Sequence, residues 1–162
     1  MRVRRAASED IPVLVKLFEE LDSMQRDWRV FTPRPGFYDE VGTKYRAALD
    51  KRGSVVLVAE EEDQIVGMAY GESRVPSRFS DERALELSSV VVRMDRRGQG
   101  IGRALVEEAG RFAQEEGLPW IELKTFVPNH AATEFWEGLG FTPRVVQLTS
   151  ATKTLNSRLS HG

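Results

Sequence analysis

Gly98, Gly100 and Gly102 alternate along Arg97-Gly98-Gln99-Gly100-Ile101-Gly102-Arg103, directly after the β-branched run Val90-Val91-Val92. A strand that feeds a helix through such glycines brings bare backbone N–H groups and the positive end of a helix dipole to one point. Phosphate is the ligand that such a point binds. Spacing narrows the choice of phosphate. The dinucleotide fingerprint G-x-G-x-x-G would put its last glycine at Arg103 when counted from Gly98, and at Leu105 when counted from Gly100. An ATP-type P-loop needs Gly-Lys-Ser/Thr, and the chain holds no Gly-Lys pair. What is left is Arg97-x-x-Gly100-x-Gly102 behind a hydrophobic strand.

The elements around this loop follow from periodicity. After Gly102, the residues Leu105, Ala109, Phe112 and Ala113 make one apolar helical face, and Arg103, Glu107 and Arg111 stand four apart on another. Near the start, Val3 opens a short strand, Ser8 reads as a helix N-cap, and Pro12 falls in the first turn ahead of Leu14, Leu17, Phe18 and Leu21. Ser23 to Gly36 reads as a loop and Tyr38 to Asp50 as a second helix ended by Gly53. Ser54 to Glu60 and Ile65 to Glu72 form a hairpin across Glu61-Glu62-Asp63-Gln64. A polar connection from Arg74 to Ala84, containing Pro76, leads to a strand from Leu85 to Arg93. Trp120 to Phe126 reads as the next strand, closed by Pro128, and Phe141 to Thr149 as a last strand or strand pair. Between them, Asn129 can cap a helix whose buried stripe is Ala132, Phe135, Trp136 and Leu139, with Gly140 placed to end it.

Composition bounds the function. The chain has 162 residues, 41% of them hydrophobic, which suits one domain over residues 1–162 with a tail at 151–162 expected to fray. A formal charge of −2 argues against a dedicated nucleic-acid binder. No apolar run is long enough to cross a membrane, and Arg2, Arg4 and Arg5 follow Met1 without a signal-peptide core. The expectation is a cytoplasmic protein without membrane attachment. Cysteine is absent, which removes disulfides, thiolate metal sites and a cysteine acyl-enzyme. His130 and His161 are the only imidazoles, so no metal centre is expected.

The loop Arg97-x-x-Gly100-x-Gly102 resembles the acetyl-CoA pyrophosphate loop of the GNAT superfamily of N-acetyltransferases, whose motif reads Arg/Gln-x-x-Gly-x-Gly/Ala. The stretch Asn129-His130-Ala131-Ala132-Thr133-Glu134-Phe135-Trp136-Glu137-Gly138-Leu139-Gly140-Phe141 is similar to the late helix of that family. The resemblance extends over nearly the whole chain, with Ser23 to Tyr45 its weakest part. It implies an α/β (α+β) fold: a mixed, mostly antiparallel central sheet flanked by helices, with the fourth and fifth strands splayed apart.

By the same resemblance, the chain is an acetyl-CoA-dependent N-acetyltransferase that moves an acetyl group to a primary amine by direct attack in a ternary complex. Backbone groups of Val90, Val91 and Val92 would pair with the pantetheine arm. Gly98, Gln99, Gly100, Ile101, Gly102 and Arg103 would hold the pyrophosphate, with Arg97 at the first place of the motif and Asn129 reaching in from the other side. Glu86 matches the register where family members place a catalytic glutamate, and Glu72 is a second candidate. The N–H of Val90 or a neighbour would face the thioester oxygen. Trp136 stands where relatives carry a tyrosine acid, and an indole does not titrate. Water, Tyr70 or Ser88 would then protonate the thiolate, or no acid is needed. The same substitution leaves open a non-catalytic acyl-CoA sensor on this fold. Trp28, Phe31, Phe37 and Tyr38, with Asp22, Asp27, Asp39 and Glu40, are candidates for the acceptor wall. The acceptor is a small-molecule or peptide amine, and homodimers are common in such families.

Overall fold

The computed structural model describes residues 1–75 and 81–160; Pro76 and His161 lie outside them. The chain divides into two compact units, Met1–Phe126 and Val127–Gly162. The first contains β1 (Arg2–Arg5), α1 (Ile11–Met24), α2 (Phe37–Leu49), β2 (Ser54–Glu61), β3 (Gln64–Arg74), β4 (Ala84–Val92), α3 (Ile101–Glu115) and β5 (Trp120–Leu123). The five strands form one sheet in sequence order. Every pair is antiparallel except β4 with β5. This is the mixed, helix-flanked sheet that the sequence led us to expect.

Strand alternation builds the two layers. Val56, Val58, Met68, Tyr70 and Val91 share one face and pack with Ile11, Leu14 and Leu17 of α1 and Val41, Tyr45 and Ala48 of α2. On the other face, Gly67 lets α3 come close. A Cβ there would stand 3.1 Å from Ile101 and 3.2 Å from Leu105. The β2–β3 hairpin turns at Glu62 and Asp63, whose φ values of 48° and 60° suit the mirror-image turn that matches strand twist.

Three local expectations need correction. Ser8 does not cap α1, because Ser8–Asp10 forms a 3-10 turn and the helix begins at Ile11. Asp10 organises this end instead, accepting the Ala7 N–H at 2.8 Å and binding Arg4 at 2.6 Å. The strand expected to reach Phe126 stops at Leu123, where its pairing with β4 runs out. Phe141 to Thr149 carries no strand. Val145 and Leu148 there are both 89% exposed, and a β-branched run without a pairing partner has no ladder to join.

The second unit contains α4 (His130–Glu137) and α5 (Thr152–Leu159), the latter within the stretch expected to fray. Asn129 caps α4 by accepting the Ala132 N–H at 3.3 Å. Gly140, at φ 91°, ends the turn after it. Trp136 packs edge-on against Phe135 and Phe141, with ring centroids 4.8 and 5.2 Å apart.

Candidate active site

The site grows from the end of β4. This strand pairs with β5 only from Ala84 to Leu87, so from Ser88 onward its β5-facing edge has no partner strand among the described residues. On the other side it pairs with β3 to Val92, and the Arg93 N–H continues the ladder to the Val66 carbonyl at 2.9 Å. Alternation of antiparallel bonding then turns the backbone groups of Val91 toward β3 and those of Val90 and Val92 toward the open side. Of the three valines expected to pair with a ligand, Val90 and Val92 turn their backbone groups to the open side, where the Val92 carbonyl already accepts from Arg97, and Val91 is engaged in the sheet.

A bulge shapes the middle of the same strand. Tyr70 stands opposite Ser89 and Gly71 opposite Leu87, so Ser88 is an extra residue in β4. Bulges re-aim side chains and are frequent beside active sites. Ser88 is exposed, whereas Ser89 is buried against the Tyr45 hydroxyl at 3.3 Å. Burial pushes Tyr45 up to about 12, against the opposing effect of that contact. Sequence reasoning did not find this bulge, because the extra residue is visible only in the pairing.

Beyond the strand, the loop is pinned at one end and open at the other. Arg93 binds Asp95 at 2.6 Å and Gln64 at 3.3 Å, and Arg96 faces Glu61 at 3.6 Å. Arg97 donates to the Val92 carbonyl at 3.1 Å. From Gly98 to Arg103, by contrast, no backbone N–H has an acceptor among the described residues. Gly98 and Gly100 have φ values of 75° and 82°, the left-handed region that glycine enters without strain. The result is a run of unpaired donors ending on the N-terminal turn of α3. The Arg103 side chain makes no hydrogen bond or ion pair among the described residues, so its charge is available there.

At the other end of β4, a row of polar residues crosses the sheet. Ser54, Glu72, Glu86 and Glu122 are successive cross-strand partners on β2, β3, β4 and β5. Like charges directly opposite one another repel, and cations relieve this row. Lys51 binds Glu72 at 2.9 Å, and Arg74 ion-pairs with both Glu86 and Glu122. Burial raises Glu72, but the Lys51 bond, the Tyr70 hydroxyl and the surrounding ammonium charges outweigh it and hold the carboxyl below its usual range. Tyr70, 1% exposed, turns its hydroxyl toward Glu72 without forming a hydrogen bond of normal geometry. Burial first, then the neighbouring carboxylates, push that hydroxyl well up, so it stays a neutral donor.

Among the aromatic residues considered for an acceptor wall, Phe37 and Tyr38 pack with Phe18 at 6.1 and 6.4 Å, and Trp28 meets Phe126 at 6.3 Å. Phe31 is 80% exposed. Asp22 is buried and tied to Arg29 and to the Tyr38 hydroxyl, which makes it a structural anchor of the α1–α2 connection. The Asp22 hydrogen bond and the accompanying burial raise Tyr38.

Residues 18–141 match the family model described as the acetyltransferase (GNAT) family. The chain belongs to that family. N-acetyltransferase 8B of Rattus norvegicus is 34% identical over 96 residues, which are 59% of this chain and 43% of that protein. The chain thus spans less than half the length of the curated relatives it matches. A mutant of the BH1408 protein from Bacillus halodurans superposes with a TM-score of 0.82 at 21% identity, covering 93% of this chain and 99% of that one. The aminoglycoside N-acetyltransferase AAC(6')-Iy, solved in complex with CoA, gives 0.74 at 16% identity, with 92% and 93% covered. At these identities the structures establish the fold. Among the described residues, no helix is long and apolar enough to cross a membrane.

Proposed function

We propose that this chain is an N-acetyltransferase that moves an acetyl group from acetyl-CoA to a primary amine by direct attack in a ternary complex. The observation that carries this reading is the run of unpaired N–H groups from Gly98 to Arg103, which follows the open edge of β4 along the chain. A diphosphate matches the first feature and an amide-bearing arm the second. The CoA held by the AAC(6')-Iy relative supports the same choice.

Acetyl-CoA supplies a thioester carbon open to attack. Before attack, the acceptor ammonium must lose a proton, and Glu86 on β4 is the proposed base, directly or through water. Its ion pair with Arg74 orients it, and Glu72 stands across the ladder as the second candidate. The cleft-facing N–H of Val90 is placed to donate to the oxygen on which negative charge grows. The departing thiolate needs only a modest donor, because a thiol has a pKa of about 8.5. Trp136 cannot serve, whereas water can; burial and the facing carboxylates make the Tyr70 hydroxyl too weak an acid for this step. A chain without cysteine suits a reducing compartment, and this reading includes a cytoplasmic setting.

Incubation with acetyl-CoA and a panel of primary amines tests the proposal, with free thiol followed by absorbance and products by mass spectrometry. An acetylated amine with matching CoA release supports it. CoA binding without turnover on any amine favours the second reading, an acyl-CoA sensor, for which Trp136 in place of a titratable acid is the motivating residue.

A further inference from the structure

Arg97 occupies the first place of the loop motif, yet its guanidinium is engaged by groups outside the loop. Nε donates to the Val92 carbonyl at 3.1 Å, and Nη2 approaches Met24 Sδ at 3.2 Å. The Val92 carbonyl is one of the groups that β4 presents to its open side. Met24 is the last residue of α1. The chain beyond it is anchored, because Tyr38 donates to Asp22 at 2.6 Å and Trp28 meets Phe126 at 6.3 Å. One planar side chain therefore spans from the cleft rim to the end of the helix that leads into the α1–α2 connection.

We infer that Arg97 is a positioning residue that ties the open rim of β4 to the end of α1, so that filling the cleft tightens the α1–α2 connection. The inference rests on the CoA reading above. A carbonyl oxygen carries two lone pairs, so a ligand amide can share Val92 with Arg97 and fix the guanidinium from a second side. Charge on the diphosphate falls instead to Arg103, which has no side-chain partner among the described residues. Arginine suits this task because its fork gives two separated donors in a fixed plane, which a lysine ammonium cannot supply.

The test is hydrogen–deuterium exchange on the full chain with and without CoA, beside calorimetric titration of CoA, for the wild type, Arg97→Lys and Met24→Leu. In the wild type, CoA should slow exchange in peptides covering Leu21 to Arg29 by about fivefold or more, the lower range of a coupling between sites. Arg97→Lys keeps the charge. It should weaken CoA by no more than about fivefold, as for an exposed contact, while abolishing that slowing. Met24→Leu, which keeps apolar bulk, should also reduce it. Bound CoA with no change at Leu21 to Arg29 in the wild type would overturn the inference while leaving the CoA reading intact. So would an Arg97→Lys protein that keeps the slowing but loses far more CoA affinity, since that marks a diphosphate ligand. No CoA heat in the wild type overturns the CoA reading first and this inference with it.

Discussion

Glu72 and Glu86 stand directly opposite each other across the β3–β4 ladder, and each is held by a cation near a strand end, Lys51 for the first and Arg74 for the second. The pair explains how a sheet tolerates facing carboxylates at the end of β4 where the proposed base lies. It also separates two jobs. Lys51 and Arg74 stabilise the row, and Glu86 lies on the strand whose far half is free of β5.

Arg74→Met removes the cation shared by Glu86 and Glu122. Facing like charges are then uncompensated, and stability should fall by about 1 kcal/mol at neutral pH. Urea unfolding checks this, and added salt should shrink the difference by screening.

Glu86→Gln should lower kcat/KM by about 10²-fold or more on any amine that the enzyme acetylates, the usual scale for losing a general base. CoA affinity measured by calorimetry should be retained. Glu72→Gln, tested in parallel, should cost much less activity. The reverse ranking would move the base to β3.

Gly100→Ala adds a methyl that meets nothing within 4 Å, but at a backbone φ of +82°. The expected loss is about 1–2 kcal/mol from left-handed strain alone. The methyl also stands among the loop donors, so CoA affinity should fall beyond what the stability loss explains. Thermal melts and titrations together separate the two effects. Unchanged affinity would speak against this loop as the diphosphate cradle.

Asp10 gives a pH signature. Its bond with Arg4 chiefly holds the carboxyl below the ordinary range, against the opposing effect of burial, and the Ala7 N–H adds to it. A carboxylate with a depressed folded pKa stabilises fully above its unfolded value of about 3.9 and loses that stabilisation as pH falls through the folded value. Asp10→Asn should therefore be less stable near neutral pH by about 1–3 kcal/mol, the scale of a lost charged hydrogen bond. The gap should narrow steadily below pH about 4, as chemical denaturation at a series of pH values would show.

Much of the architecture could be read in the chain because local signals and packing agree. The alternation of Val56, Val58, Met68 and Tyr70 marks a core face, and the stripe through Leu105, Ala109 and Phe112 marks the buried side of α3. The strand–loop–helix order around the glycines was legible because a β-branched run, alternating glycines and an amphipathic stripe follow one another along the chain. Other features depend on contacts distant in sequence. Nothing local distinguishes Ser88 from Ser89, and the bulge emerges only when Tyr70 and Gly71 are paired with their partners. Arg97 and Arg103 look alike in the motif, and only folding commits one to Val92 while leaving the other available. Val145, Val146 and Leu148 have strand propensity, but propensity without a pairing partner does not make a strand.

Calorimetric titration of the chain with CoA, with Arg103→Ala as the paired variant, tests the central claim most directly. Saturable binding at one site per chain is predicted, with a melting shift that ATP and NAD do not reproduce and clearly weaker CoA binding by Arg103→Ala. Absence of both heat and melting shift at millimolar CoA, or equal binding of ATP, would contradict it.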